Sequence, residues 1–272
     1  MSARVLREGR VRLWVEPDDR GLAYGDGVFE TMLVHAGEPV WWQEHWQRLL
    51  LGARRLGLPL PDESEVRREC ATLLGDAGRA VLKVLLTRGS GGRGYRPPDD
   101  ASPTVVLSRH EAPAPPARAL QLRWARTTLA IQPALAGIKH CNRLEQVLAR
   151  AEWQDPEIDE ALMCDGEDRV VGATSANLFA LVGGRWLTPS VERCGIAGIA
   201  RGWLLANLPG AAIADLSASE VSHADALFLC NAVRGILPVG RLGMREWPRG
   251  EAVAAVRARL ATAQPAFNEG DR

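Results

Sequence analysis

Leu135-Ala136-Gly137-Ile138-Lys139-His140-Cys141-Asn142-Arg143-Leu144-Glu145-Gln146 is the stretch whose reading decides the fold. Its first residues close a run rich in glycine and alanine, Pro133–Ile138, and its last ones enter a helix expected over about Asn142–Glu152. Lys139 stands where the two meet. Of the chain's 33 basic residues, 31 are arginine, and Lys83 and Lys139 are the two lysines. Chemistry that needs an amine nucleophile therefore has two side chains to draw on. Lys83 lies in Val81-Leu82-Lys83-Val84-Leu85, a strand pattern with one polar residue, and reads as structural. Lys139, beside small residues that leave space, suits a Schiff base to a planar cofactor. On these residues alone, a solvated loop lysine is the competing reading.

Outward from this stretch the pattern is mixed. Before it, strands are expected at Val11–Val15 and Val28–Val34, with turns at Gly25-Asp26-Gly27 and Gly37-Glu38-Pro39. Trp46, Leu49, Leu50, Ala53 and Leu56 then recur at helical spacing until Gly57. A second helix starts at the capping pair Asp62 and Glu65, carries Val66, Cys70, Leu73 and Leu74, and stops at Gly75. Strands follow at Ala80–Thr87 and Pro103–Ser108. The proline-rich run Ala112–Ala117 reads as a linker. Two domains are expected: residues 1–112 and 119–272, joined by 113–118.

Past the linker, strands are expected at Leu120–Arg126, Glu160–Cys164, Val170–Val171, Asn177–Val182, Arg185–Thr188, Ala211–Leu216 and Ala226–Cys230. Helices are expected at Gly198–Asn207, after Ser217, and at Gly250–Ala263. The order lacks regular βαβ alternation, so the fold class reads as α+β.

Composition excludes several classes. Hydrophobic residues make up 46% and charged residues 24%, values of a folded globular chain. Basic and acidic residues number 33 each, so no global charge favours nucleic acid or a membrane surface. The N-terminal residues have no apolar signal segment, and the longest charge-free run, Val170–Gly184, is too short and polar to span a bilayer. Cys70, Cys141, Cys164, Cys194 and Cys230 are scattered without a CxxC, as expected of reduced thiols in the cytoplasm. The five histidines show no metal-ligand spacing, and no metal is expected. Gly89-Ser90-Gly91-Gly92-Arg93-Gly94 matches GxGxxG, but Pro97-Pro98 follows where a dinucleotide site needs a helix. That segment reads as a surface loop, or as one that offers Arg93 or Arg96 to an anion.

The residues around Lys139 resemble the lysine segment of the aminodeoxychorismate lyases, fold-type-IV pyridoxal-phosphate enzymes related to the branched-chain and D-amino-acid aminotransferases. Other segments agree in order: Asp19-Arg20 with Tyr24 to Thr31, Glu44 to Leu49, Arg88 to Tyr95, Asp159 to Leu162, Ala176 to Phe179, Gly195 to Arg201, and Cys230-Asn231-Ala232. The resemblance covers nearly the whole chain. The lysine segment and the RGSGGRGY loop separate the lyases from the aminotransferases.

The resemblance implies a two-domain fold-type-IV architecture with pyridoxal 5'-phosphate between the domains, and a cytoplasmic homodimer. It implies that Lys139 binds the cofactor and later serves as base and acid. Arg48 would clamp the phosphate. Asn177, Gly198, Ile199, Ala200, Asn231 and Ala232 would complete the cofactor site, and Arg93 and Arg143 would meet the substrate carboxylates. The implied reaction is cleavage of 4-amino-4-deoxychorismate to 4-aminobenzoate and pyruvate, in folate biosynthesis. One position departs from the family pattern. Gly172 stands where a carboxylate usually serves the pyridine nitrogen. A D- or branched-chain amino-acid aminotransferase, and a catalytically silent cofactor-binding protein, are the alternatives.

Overall fold

The computed structural model describes residues 2–247 and 250–268; the extreme ends of the two expected domains lie outside them. The chain divides into two compact units, Met1–Ala112 with Ile138–Asn142, and Pro113–Gly137 with Arg143–Arg272.

In the first unit the elements are β1 (Ser2–Arg7), β2 (Arg10–Arg12), α1 (Arg20–Tyr24), β3 (Gly27–His35), β4 (Glu38–Pro39), α2 (Trp42–Leu56), α3 (Glu63–Leu74), β5 (Arg79–Thr87) and β6 (Thr104–His110). Six strands form one sheet in the order β2-β1-β6-β5-β3-β4. β3 and β5 pair antiparallel along their whole length, from Gly27 opposite Thr87 to His35 opposite Arg79. Val28, Met32 and Val34 from β3, with Leu82, Val84 and Leu86 from β5, bury one face against the apolar stripes of α2 and α3. α2 closes on Gly57 at φ 63°, and α3 is capped by the Asp62 side chain, which accepts from the Glu65 amide. The strand expected at Val11–Val15 is corrected to Arg10–Arg12. Leu13 is 89% exposed, so the alternation there has no core face to define it.

The second unit contains β7 (Leu120–Trp124), α4 (Leu144–Arg150), β8 (Glu160–Cys164), β9 (Arg169–Ala173), β10 (Asn177–Val182), β11 (Arg185–Pro189), α5 (Ile199–Asn207), β12 (Ala212–Ala214), β13 (Leu216–Ser217), α6 (Ala218–His223), β14 (Ala226–Asn231), β15 (Gly235–Leu242), β16 (Arg245–Glu246) and α7 (Glu251–Ala263). Its sheet runs β12-β11-β10-β14-β15-β7-β8-β9-β13, with β16 against β15. Leu178, Ala180, Leu227, Leu229, Leu237 and Val239 share one buried cluster. The stacked rings of Phe179 and Phe228, 5.0 Å apart, mark another buried contact. The helix expected from Asn142 begins at Leu144 instead. Asn142 belongs to the first unit, where its Nδ2 donates to the Gly25 carbonyl. Among the described residues no helix is long and apolar enough to cross a membrane.

Candidate active site

The first unit builds the surroundings of Lys139 on β3. The Phe29 amide donates to the Lys139 carbonyl at 2.9 Å, and the Cys141 amide to the Gly27 carbonyl at 2.9 Å. Val28 and His140 thereby form an antiparallel bridge that fixes the lysine backbone. Ile138, 1% exposed, anchors the segment in the interior. The Lys139 ammonium lies 4.3 Å from the Phe29 ring centroid. Lys83 comes within 5.2 Å of the same ring, because it is opposite Thr31, two residues from Phe29 on the same face. The two lysines of the chain thus share one aromatic neighbour.

Glu30, the next residue on β3, points to the other face, where α2 covers it. It is 1% exposed. Its Oε1 accepts from Arg48 Nε at 2.8 Å and its Oε2 from Arg48 Nη2 at 2.5 Å, while His45 Nδ1 approaches Oε2 at 2.5 Å. His45 and Arg48 reach one carboxylate because they are three residues apart on one face of α2. Burial alone would raise the Glu30 pKa. The Arg48 charge and the hydrogen bonds from Arg48 and His45 outweigh it and hold the carboxyl at about 2. Burial depresses the His45 pKa, only partly offset by Glu30; the charges of Arg48 and Lys139 depress it further. A neutral imidazole fits the surroundings, since Nε2 has no hydrogen-bond partner among the described residues. Arg48 is therefore held in a preset orientation, its side chain 10% exposed. Sequence reasoning singled out Arg48 but missed Glu30 and His45. The available signal was one acid inside the apolar run Val28–Val34.

In the second unit Asn177, Asn231 and Ala232 lie at one end of β10 and β14, and Gly198 packs against Asn177. Asn177 pairs with Cys230 across the sheet. Its Nδ2 donates to the Ile196 carbonyl at 2.9 Å. Asn231 Oδ1 accepts from the Val233 and Arg234 amides, shaping the turn that holds Ala232. Gly198 starts α5 in an extended conformation with no side-chain cap and no acid in the first turn. A Cβ on Gly198 would fall 2.0 Å from Asn177 Oδ1, so glycine is required there. Gly137, two residues before Lys139 in the chain, bonds through its amide and carbonyl to Gly195 and Ala197. Arg143 stands at the N-terminal boundary of α4. Arg93, in the first unit, is exposed in the glycine-rich loop. Gly172 is buried on β9 opposite Met163. The nearby turn is tied by Glu160, 8% exposed, whose carboxylate accepts from the hydroxyls of Thr174 and Ser175.

Each unit by itself carries a feature that suits one part of a phosphorylated aldehyde. A lysine amine fixed on a strand can bond an aldehyde covalently. The first-turn amides of α5, at an end that no side chain caps, suit a phosphate. Arg201, the third residue of α5, turns inward to Thr188 and the Pro189 carbonyl.

An α+β protein of two sheets, with one lysine held at a strand edge, is the class that fold and site define. Residues 27–242 match the model of the amino-transferase class IV family, and the chain belongs to that family. The aminodeoxychorismate lyase of Vibrio harveyi is 35% identical over 84% of this chain and 87% of that protein. The crystal structure of 4-amino-4-deoxychorismate lyase from Pseudomonas aeruginosa has 42% identity and a TM-score of 0.89, covering 96% of this chain and 99% of that one. The D-alanine aminotransferase of Listeria monocytogenes is 27% identical over 83% of this chain and 81% of that protein. The fold class expected from the resemblance, α+β of the fold-type-IV kind, is the one this chain has.

Proposed function

We propose that this chain is a pyridoxal-phosphate-dependent lyase that converts 4-amino-4-deoxychorismate to 4-aminobenzoate and pyruvate, acting in the cytoplasm as a homodimer in folate biosynthesis. The observation that carries the reading is Lys139, pinned to β3 through Phe29 and Gly27 in a chain that has one other lysine. The 42% identity to a lyase structure over 96% of the chain favours this chemistry over transamination.

When bound, the cofactor supplies an electron sink for the pair left behind when a proton is removed. The chain's own residues do the rest. Lys139 Nζ takes the proton from the aminated ring carbon of the substrate. The enolpyruvyl C–O bond breaks, the electron pair leaves with the ether oxygen, and a proton returned to the departing enolate gives pyruvate. Ring aromatisation drives the elimination. Arg48, oriented by Glu30, would meet the phosphate. The first-turn amides Ile199 and Ala200, with Asn177 and the Asn231-Ala232 turn, would complete the cradle. Arg93 and Arg143 would receive the substrate carboxylates.

The test is incubation with 4-amino-4-deoxychorismate, followed by assay of 4-aminobenzoate and pyruvate in equal amounts. Borohydride reduction of the holoprotein and peptide mapping should place the pyridoxyl group on Lys139. A label on Lys83, or on neither lysine, would overturn the assignment.

A further inference from the structure

The glycine-rich segment Arg88–Tyr95 fits a phosphate-loop spacing in sequence but opens no helix, and its glycines serve another purpose. Gly89 has φ +90°, and a Cβ there would lie 1.8 Å from the Ser102 carbonyl oxygen. Gly94 has φ +95°. Gly91 has no positive φ, yet a Cβ on it would come 2.7 Å from Arg20 Cδ and 3.1 Å from Arg20 Cγ. The aliphatic stem of Arg20 passes directly across Gly91. Gly92, by contrast, faces open space.

The guanidinium that this stem delivers is buried, with Arg20 3% exposed. Nη1 donates to the Gly94 carbonyl at 2.9 Å and Nη2 to the Tyr95 carbonyl at 3.0 Å. Nε donates to Asp26 Oδ2 at 2.9 Å. The Tyr24 ring lies 4.8 Å from the guanidinium and meets Tyr95 edge-on at 5.6 Å, and its hydroxyl accepts from the Gly94 amide. Asp26 also receives Arg88, which reaches the Leu56 and Gly57 carbonyls at the end of α2. One planar fork thus fastens two consecutive loop carbonyls to a carboxylate that is itself tied to α2. A loop with four glycines among seven residues, 89–95, has much backbone entropy to lose, so its order depends on such a fastening.

We propose that Arg20 is a positioning residue: its buried guanidinium latches the Gly89–Tyr95 loop and so aims Arg93 at a substrate carboxylate. The part played by Arg93 rests on the lyase reading above; the latch does not. With the latch cut, the loop must be ordered anew at each binding event, so the loss falls on KM more than on kcat.

Two readouts on the holoprotein test this. The first is native-state cleavage by trypsin at the Arg93–Gly94 bond, mapped by peptide mass. Pro97 protects the bond after Arg96. Arg20→Gln should raise cleavage about tenfold, because cleavage follows the population of the opened loop. Arg20→Lys, which offers one point charge in place of a fork, should fall between Gln and the parent. Gly91→Ala, whose methyl displaces the Arg20 stem, should also accelerate cleavage, and Gly92→Ala should match the parent. Should Arg20→Gln fail to fold, Gly91→Ala and Arg20→Lys carry the test. Parent-like cleavage in those variants overturns the latch. The second readout is kinetics on 4-amino-4-deoxychorismate, where KM should rise about tenfold in Arg20→Gln while kcat changes less. Faster cleavage with unchanged KM overturns the aiming of Arg93. Faster cleavage together with a parent protein that forms no 4-aminobenzoate supports the latch and rejects the lyase reading.

Discussion

Glu30 shows how one residue couples the core to the site. Its carboxyl is held at about 2 against the usual 4.5 by Arg48 and His45, in spite of burial. A depressed carboxyl contributes stability that is fully present above its unfolded value and lost as pH falls through its folded one. Glu30→Gln should therefore cost about 3 kcal/mol near neutral pH, with Arg48 left under-compensated in the interior. The gap to the parent protein should narrow between about pH 4.5 and about pH 2. Urea denaturation across that range checks it; a gap independent of pH rejects the account. If Arg48 is the phosphate clamp proposed above, the apoprotein should also bind pyridoxal phosphate more weakly, because Arg48 loses its preset orientation. Gly172 poses the opposite question. A Cβ there would sit 3.0 Å from the Ala176 carbonyl oxygen, so the turn must give slightly to accept any side chain. Provided that Gly172→Glu still binds cofactor, it should raise side transamination by a larger factor than lyase turnover. A carboxylate at the pyridine nitrogen strengthens the electron sink, and elimination already has aromatisation to help it. Unchanged rates on both counts would mean that another group serves the nitrogen.

Among the elements, those with local signals were legible in the sequence. Ser217 and Glu220 predict a helix start, and α6 carries the full reciprocal capping box. Ser217→Ala should lower stability by about 1 kcal/mol, read as a fall in Tm with activity retained. β8 and β10 match the expected bounds, because each is a continuous apolar run between turns. β15 went unread although it lies between β14 and β7 in the larger sheet. Its sequence, Gly235-Ile236-Leu237-Pro238-Val239-Gly240-Arg241-Leu242, carries a proline and two glycines that argue against a central strand. The structure accommodates them by a register shift between Val239 and Arg241, around Gly240. Such a bulge is set by neighbouring strands that the local sequence does not contain. The site divides the same way. Lys139 and Gly198 have local signals, one of two lysines and a glycine before a helix. The Glu30–His45–Arg48 and Arg20–Asp26–Arg88 clusters join residues far apart in the chain, and pairing of that kind is settled by the sheet.

At the scale of the whole molecule, equal numbers of acids and bases give a sequence pI near 7.0. Electrostatic repulsion between copies is then weakest near neutral pH, so solubility should pass through a minimum there and rise on either side. The overall reaction class is also a property of the whole chain, since relatives on this fold include both lyases and aminotransferases. The two classes differ in their cofactor balance. Transamination moves the amino group onto the cofactor, which must pass it to a keto acid before the next turnover. Elimination keeps the nitrogen on the product ring and leaves the cofactor as it began. Multiple turnovers of 4-amino-4-deoxychorismate should therefore proceed at full rate without any keto acid, with 4-aminobenzoate and pyruvate accumulating together. Adding pyruvate or 2-oxoglutarate should leave the rate unchanged and yield no alanine or glutamate. Should substrate consumption stop after one equivalent per site without forming 4-aminobenzoate, and resume only on adding a keto acid, with the substrate nitrogen recovered in an amino acid, the chain is an aminotransferase, and the lysine segment and the glycine-rich loop do not separate the two classes.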